Sequence, residues 1–282
     1  MDDKPIPLTG PEVSAILRQI EAPGTGKTQT RRVITKARVF ATPERPAFSL
    51  TGAELDRAMQ NADRFRHIEG NGWFWEADAY EWQAPNTRTG WMAHICYAPG
   101  DRLWVREAWR VGAWVTEEWA RGDGECDASI AVDYLADGFA RKEWLRGPDP
   151  DQMLRLVEQS RDDAEKVGRL RTATYEYNWG PGQSPCRHRP SIHMPRWASR
   201  ITLTVTDVRV QRLQDISCAD AFAEGVARIA NSLSIDCDTP DPRKDFRTLW
   251  DGINAKRGHG WDSNPWVAAY TFTPKLGNID HG

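Results

Sequence analysis

The chain lacks any apolar run long enough to cross a bilayer as a helix, and its opening residues, Met1-Asp2-Asp3-Lys4, lack the hydrophobic stretch of a signal peptide. No membrane partner is therefore expected, and a cytoplasmic location is the default. Cysteine is scarce: five residues (Cys96, Cys126, Cys186, Cys218, Cys237), odd in number, scattered, and never spaced as a CxxC pair. That pattern argues against a disulfide framework and for reduced thiols in a reducing compartment. Excess positive charge is missing too, with a net charge of −3. A protein that coats nucleic acid through its overall charge would be more basic.

What is present describes a globular protein. Hydrophobic residues make up 40% and charged residues 27% of the 282 positions, enough to bury a core in one large domain or two small ones. Tryptophan is abundant, with fourteen residues. Most are expected in the core, because an indole buries a large area and needs a single hydrogen-bond partner, while a few remain for stacking on a base. Charge is unevenly spread. Arg31, Arg32, Lys36 and Arg38 lie near the start, Arg187, His188, Arg189, Arg196 and Arg200 form a second basic stretch, and acidic residues gather around 117–165. Each basic stretch is either a solvated face or part of a cleft for an anionic polymer.

Apolar spacing over 11–21 (Val13, Ile16, Leu17, Ile20) predicts a helix with Pro11 in its first turn, stopped by Ala22-Pro23-Gly24. Residues 28–39 are expected to be extended after a loop. Residues 51–64 form a candidate helix, and 70–82 a strand or hairpin. Pro99-Gly100-Asp101 is a turn into the alternating strand 102–109. Residues 110–180 resemble an insertion carrying a helix over 149–169. Residues 199–213 make the clearest strand, with a phase shift near Asp207 that suggests a bulge or a turn. Ser217 is placed to cap a helix, with Asp220 three residues on. A helix over 245–255 and a closing strand over 265–274 follow. Short strands and helices without repeated βαβ units predict an α+β protein with a small, mostly antiparallel sheet or barrel.

Pro23-Gly24-Thr25-Gly26-Lys27-Thr28 looks like the end of a nucleotide-binding phosphate loop. Such a loop must leave a buried strand and open a helix. Here a helix precedes it, Glu21 stands where the first glycine is required, and the nucleoside-triphosphatase reading fails.

The same residues, Lys27-Thr28-Gln29-Thr30-Arg31-Arg32, resemble the K-T-x-T-x-R signature of ASCH domains. Gly100–Glu107 (GDRLWVRE) resembles the family's G-D-x-L-x-V strand, Ile216–Gly225 (ISCADAFAEG) its helix segment ending in Glu-Gly, and Trp266–Phe272 its last strand. The matches occur in family order, and the long segments 40–97 and 111–195 depart from the compact pattern. The arrangement is similar to longer ASCH-like proteins of bacteriophage and prophage genes.

The resemblance implies a PUA-like β-barrel assembled from 1–39, 98–110 and 196–274, decorated by helical insertions. It implies a cleft where Lys27, Thr30, Arg32 and Glu224 converge on RNA, a modified nucleoside or DNA, without cofactor or metal. Some small bacterial ASCH proteins hydrolyse the acetyl amide of N4-acetylcytidine with a Lys, a Thr three residues later and a Glu, roles that fall by resemblance on Lys27, Thr30 and Glu224. A threonine hydroxyl attacks only when a base takes its proton, and a desolvated lysine can be that base. Glu224 would orient the lysine or shuttle protons. Nucleic-acid binding without chemistry, metal-independent amide hydrolysis and a protein-interaction role all remain open.

Arg31, Arg32, Glu107, Arg196 and Trp197 complete the candidate contacts, Trp197 stacking on a base while the arginines meet phosphate. Glu107 has an alternative as an ordinary strand-edge ion pair. Cys186, His188 and His193 are three soft ligands without a fourth nearby, so a basic loop is the more economical assignment than a zinc site. Trp250 and Ile253 are expected in the core, and Lys256, Arg257 and His259 in a solvated loop.

Overall fold

The computed structural model describes residues 3–39, 48–55, 64–68, 72–77, 89–116, 128–138, 142–169, 176–226 and 241–281. In chain order the strands are β1 (Asp3–Pro7), β2 (Gln29–Val33), β3 (Lys36–Val39), β4 (Phe48–Thr51), β5 (Arg64–Ile68), β6 (Gly72–Ala77), β7 (Thr89–Ala93), β8 (Arg102–Arg106), β9 (Trp109–Thr116), β10 (Ala128–Tyr134), β11 (Lys142–Leu145), β12 (Glu176–Asn178), β13 (Ile201–Arg212) and β14 (Trp266–Leu276). The helices are α1 (Gly10–Glu21), α2 (Pro150–Lys166), α3 (Cys218–Ala223) and α4 (Pro242–Asn254). The protein is α+β with antiparallel-rich sheets, and no closed barrel forms among the described strands.

The chain divides into two compact units. The first takes Met1–Lys27, Asp101–Thr204 and Thr273–Gly282, and the second takes Thr28–Gly100 and Val205–Phe272. In the first unit, β1 runs parallel to β8, with Lys4 opposite Leu103, and Thr202–Thr204 of β13 run antiparallel on β8. Alternation in β8 sends Leu103 and Val105 inward, as its sequence predicts. Thr9 opens α1 through a capping box: the Glu12 carboxylate accepts from both the Thr9 amide and hydroxyl at 2.9 Å.

A second sheet of this unit has the order β11-β10-β9-β12. Helix α2 starts where Asp149 accepts from the Gln152 amide and lays Met153, Val157 and Ala164 against Trp109, Trp114, Ile130 and Val132. Two fully buried indoles anchor this core. Each, at on the order of 200 Å² and ~25 cal/mol per Å², contributes about 5 kcal/mol before entropy is charged. Residues 110–180, expected to hold one helix, thus also hold β9 to β12. Their near-continuous burial erases the alternation that marks a half-buried strand.

In the second unit, β2 pairs antiparallel with β14, Thr30 opposite Tyr270. Helices α3 and α4 bury Ala221, Phe246 and Trp250 with Leu213, Ile216 and Val267. Ser217 caps α3 as predicted, accepting from the Asp220 amide at 3.0 Å. A further sheet of this unit has the order β4-β3-β7-β6-β5; β6 is the strand expected in 70–82, and its hairpin partner β5 precedes that range. Within the candidate helix 51–64, residues 52–55 are helical and Arg64 begins β5, while 56–63 lie outside the described residues. In β13 the alternation breaks at Thr206 and Asp207, both exposed, at the expected phase shift.

One expectation fails on cysteine. Cys218 is joined in a disulfide, whereas Cys96 and Cys186 are free. An odd, scattered count hides a single bridge because pairing depends on spatial proximity, not on spacing.

Candidate functional site

The loop before β2 is organised by α1. The amides of Gly24 and Gly26 both donate to the Gln19 side-chain oxygen, at 3.0 and 3.1 Å, and the Lys27 amide donates to the Ala15 carbonyl at 3.0 Å. These N–H groups are turned to the helix and not to a phosphate. Gly26 is required for this fit, since a Cβ there would stand 2.1 Å from the Ala15 carbonyl oxygen. Lys27 is fully buried, its amine 3.8 Å from the Glu12 carboxylate that also caps α1.

In the second unit, β2 carries Gln29, Thr30 and Arg31 inside. Strand alternation puts Gln29 and Arg31 on one face. The Arg31 Nη1 donates to Gln29 Oε1 at 2.7 Å and to Glu224 Oε1 at 2.8 Å. Its Nη2 lies 3.2 Å from the Asp220 carboxylate, and the Phe246 ring lies 5.8 Å from the guanidinium carbon. Gln29 donates onward to the Thr271 hydroxyl at 3.1 Å. Burial pushes the Asp220 carboxyl up, but the Arg209 hydrogen bond and the charges of Arg31 and Arg209 outweigh it and hold it below the ordinary value. Asp220 and Glu224 both come from the α3 segment, one turn apart, so the same side of the helix faces the arginine.

Two donor nitrogens are left over. Arg31 is 3% exposed, and its Nε is buried with no hydrogen-bond partner. Nη2, although within ion-pair distance of Asp220, makes no aligned hydrogen bond either. A buried donor left unpaired costs about 1–3 kcal/mol, so natural sequences rarely retain one without a use.

Most of the remaining sequence candidates have partners of their own. Thr30 is buried on β2, and Arg32 is half-buried on the same strand. Glu107, buried in the first unit, accepts both arms of Arg200 at 2.9 Å, and Arg200 also donates to Asp137 at 2.6 Å and lies over the Tyr134 ring. Glu107 is thus ion-paired, but in a buried, bidentate pair just past β8 and not at an exposed strand edge. Arg196 donates to Asp280 and Asp3. Trp197 packs on the first unit's core, and its indole N–H donates to the Gln152 side-chain oxygen at 2.8 Å. Among the described tryptophans, Trp109, Trp114 and Trp250 are buried and Trp144 is exposed.

Sequence reasoning overlooked Gln29 and Glu12, read Arg200 only as part of a basic stretch, and weighed Asp220 only as a cap. The Thr9–Glu12 spacing is itself a capping-box signature, and Gln29 stands two residues from Arg31, so both carried a local signal. Arg200 carried none, because its partners come from distant segments. Cys186, His188 and His193 do not assemble into a ligand set: among the described residues no group of three His, Cys, Asp or Glu side chains is arranged to hold a metal ion. Among the same residues no helix is long and apolar enough to cross a membrane. Compared with known protein families, curated proteins and solved structures, the chain matches none.

Proposed function

We propose that this protein binds nucleic acid or a modified nucleoside through the Gln29–Arg31–Glu224 cluster and its K-T-x-T-x-R segment, in the manner of a PUA-like ASCH domain. The observation that carries this is the buried Arg31 Nε–H with no acceptor. A base or phosphate oxygen is the kind of acceptor a guanidinium edge recognises. Binding is favoured over amide hydrolysis because Glu224 is already engaged by Arg31. A carboxylate held that way positions a cation and is poorly placed to shuttle protons.

The test uses purified protein with N4-acetylcytidine, followed by chromatography, and in parallel with labelled single-stranded RNA and DNA over a salt series. Salt-sensitive binding without loss of the acetyl group is the expected result, weakened in Arg32→Ala. Turnover that disappears in Lys27→Ala and Glu224→Ala would make the protein an amidohydrolase instead. Neither binding nor turnover would leave a protein-interaction role.

A further inference from the structure

The first unit contains a half-open cleft of about 350 Å³ lined by Trp109, Gln152, Leu156, Gln159, Arg189, His193 and Pro195. Its chemistry is one-sided, because no carboxylate lines it. Arg189 is 8% exposed and has no carboxylate within ion-pair distance among the described residues. Its side chain donates to the Gln159 side-chain oxygen at 3.1 Å and to the Arg187 carbonyl at 3.4 Å, and lies 5.2 Å from the Trp109 ring centroid. Neutral acceptors and one ring are weak compensation for a buried cation, which ordinarily pairs with an anion.

The two amides reinforce this. Gln159 Oε1 is taken by Arg189, and Gln152 Oε1 by the Trp197 indole N–H at 2.8 Å. Both glutamines therefore have their donor ends to spare. The Trp109 indole N–H is buried without a partner, on a residue that is 1% exposed and lines the same cleft. A guanidinium with unused N–H groups, two amide NH₂ groups and a histidine make a wall of donors around space for a small molecule.

We propose that this cleft binds a small phosphate-bearing molecule, with Arg189 as the charged anchor and Gln152 and Gln159 as flanking donors. Arg189 has the planar fork that matches a phosphate oxygen pair, and burial strengthens each such bond. Burial also holds the Arg189 guanidinium below its ordinary pKa, although the nearby Asp163 charge works in the opposite direction. The site is separate from Arg31 and Glu224, which belong to the second unit, and it does not depend on the function proposed for them.

Isothermal titration of the full chain with inorganic phosphate and with cytidine monophosphate tests this, with cytidine as the uncharged control. Phosphate and the monophosphate are expected to bind and cytidine to fail. Gln159→Ala, a change at an exposed position, and Arg189→Gln, both checked for folding by circular dichroism, are each expected to weaken phosphate binding, the latter by at least about tenfold. If Arg189→Gln does not fold, the Gln159→Ala and Gln152→Ala titrations decide alone. No phosphate binding by the wild type, or unchanged affinity in the folded variants, overturns the proposal.

Discussion

Arg31 and Glu224, 193 positions apart in sequence, meet at 2.8 Å with neither side chain more than 4% exposed. Taking two charges out of water costs several kcal/mol each, and the pair recovers this only through close geometry and further partners, here a hydrogen bond to Gln29 and the nearby charge of Asp220. Removing one partner should therefore be far more damaging than a surface change. Glu224→Ala is expected to lower unfolding free energy by about 3 kcal/mol in urea denaturation. Glu224→Gln, which keeps the shape, should cost less. A loss in Glu224→Ala no larger than an exposed substitution gives would show that Arg31 is not held by this pair.

Two glycines predict opposite signs. At Gly26 a methyl would meet the Ala15 carbonyl oxygen at 2.1 Å and the Gln19 nitrogen at 2.4 Å, both backbone atoms. Gly26→Ala should destabilise by about 3 kcal/mol, the upper end of overpacking costs, and disturb the loop that carries Lys27. Gly252, inside α4, would place its methyl in open space. Gly252→Ala should raise stability by about 0.5–1 kcal/mol through helix propensity. Thermal melts of the two variants side by side read both signs.

How much of this was legible beforehand follows the range of the interactions. Helix α1, its proline and its stop come from spacing and turn chemistry within a dozen residues, and so does the Ser217 cap of α3. The α+β class was readable for the same reason. Strands β9 and β10 were not, because a strand buried on both faces reads as a plain apolar run. In the candidate site, Lys27, Thr30 and Glu224 were singled out by resemblance. The Glu12 beside Lys27 and the Gln29 beside Arg31 belong to local patterns whose partners appear only in three dimensions. The Glu107–Arg200–Asp137 cluster spans segments no local rule connects.

Acid should loosen the first unit at an identifiable position. Burial pushes the Asp163 carboxyl up, but the Arg187 side chain and amide, donating at 2.6–3.0 Å, outweigh it and hold it below the ordinary 3.8. The unfolded chain then binds the proton more readily than the folded one. The contribution is complete above the ordinary carboxylate value and is lost as pH falls through the depressed one. Urea midpoints followed from about pH 7 to about pH 3 should fall at the acid end, and Asp163→Asn should flatten that fall while lowering stability at neutral pH. An unaltered acid slope in the variant would remove Asp163 from the account.

Capping offers a smaller effect of known size. Ser217 accepts from the Asp220 amide, and Asp220 in turn lies against Arg31 and Arg209. Ser217→Ala should cost about 1 kcal/mol in chemical denaturation. Because the cap fixes the helix that presents both Asp220 and Glu224, it should also weaken any ligand held at Arg31, a coupling that a purely local cap would not produce.

The most direct test of the central claim watches the Arg31 Nε–H itself. Side-chain ¹⁵Nε–¹Hε resonances of the arginines, with Arg31 assigned by its disappearance in Arg31→Lys, can be followed while single-stranded RNA or N4-acetylcytidine is added. An Nε–H that gains an acceptor should shift downfield and saturate with the binding isotherm. A ligand that binds to saturation while the Arg31 resonance stays in place, or no binding by any nucleic acid or nucleoside offered, would contradict the assignment.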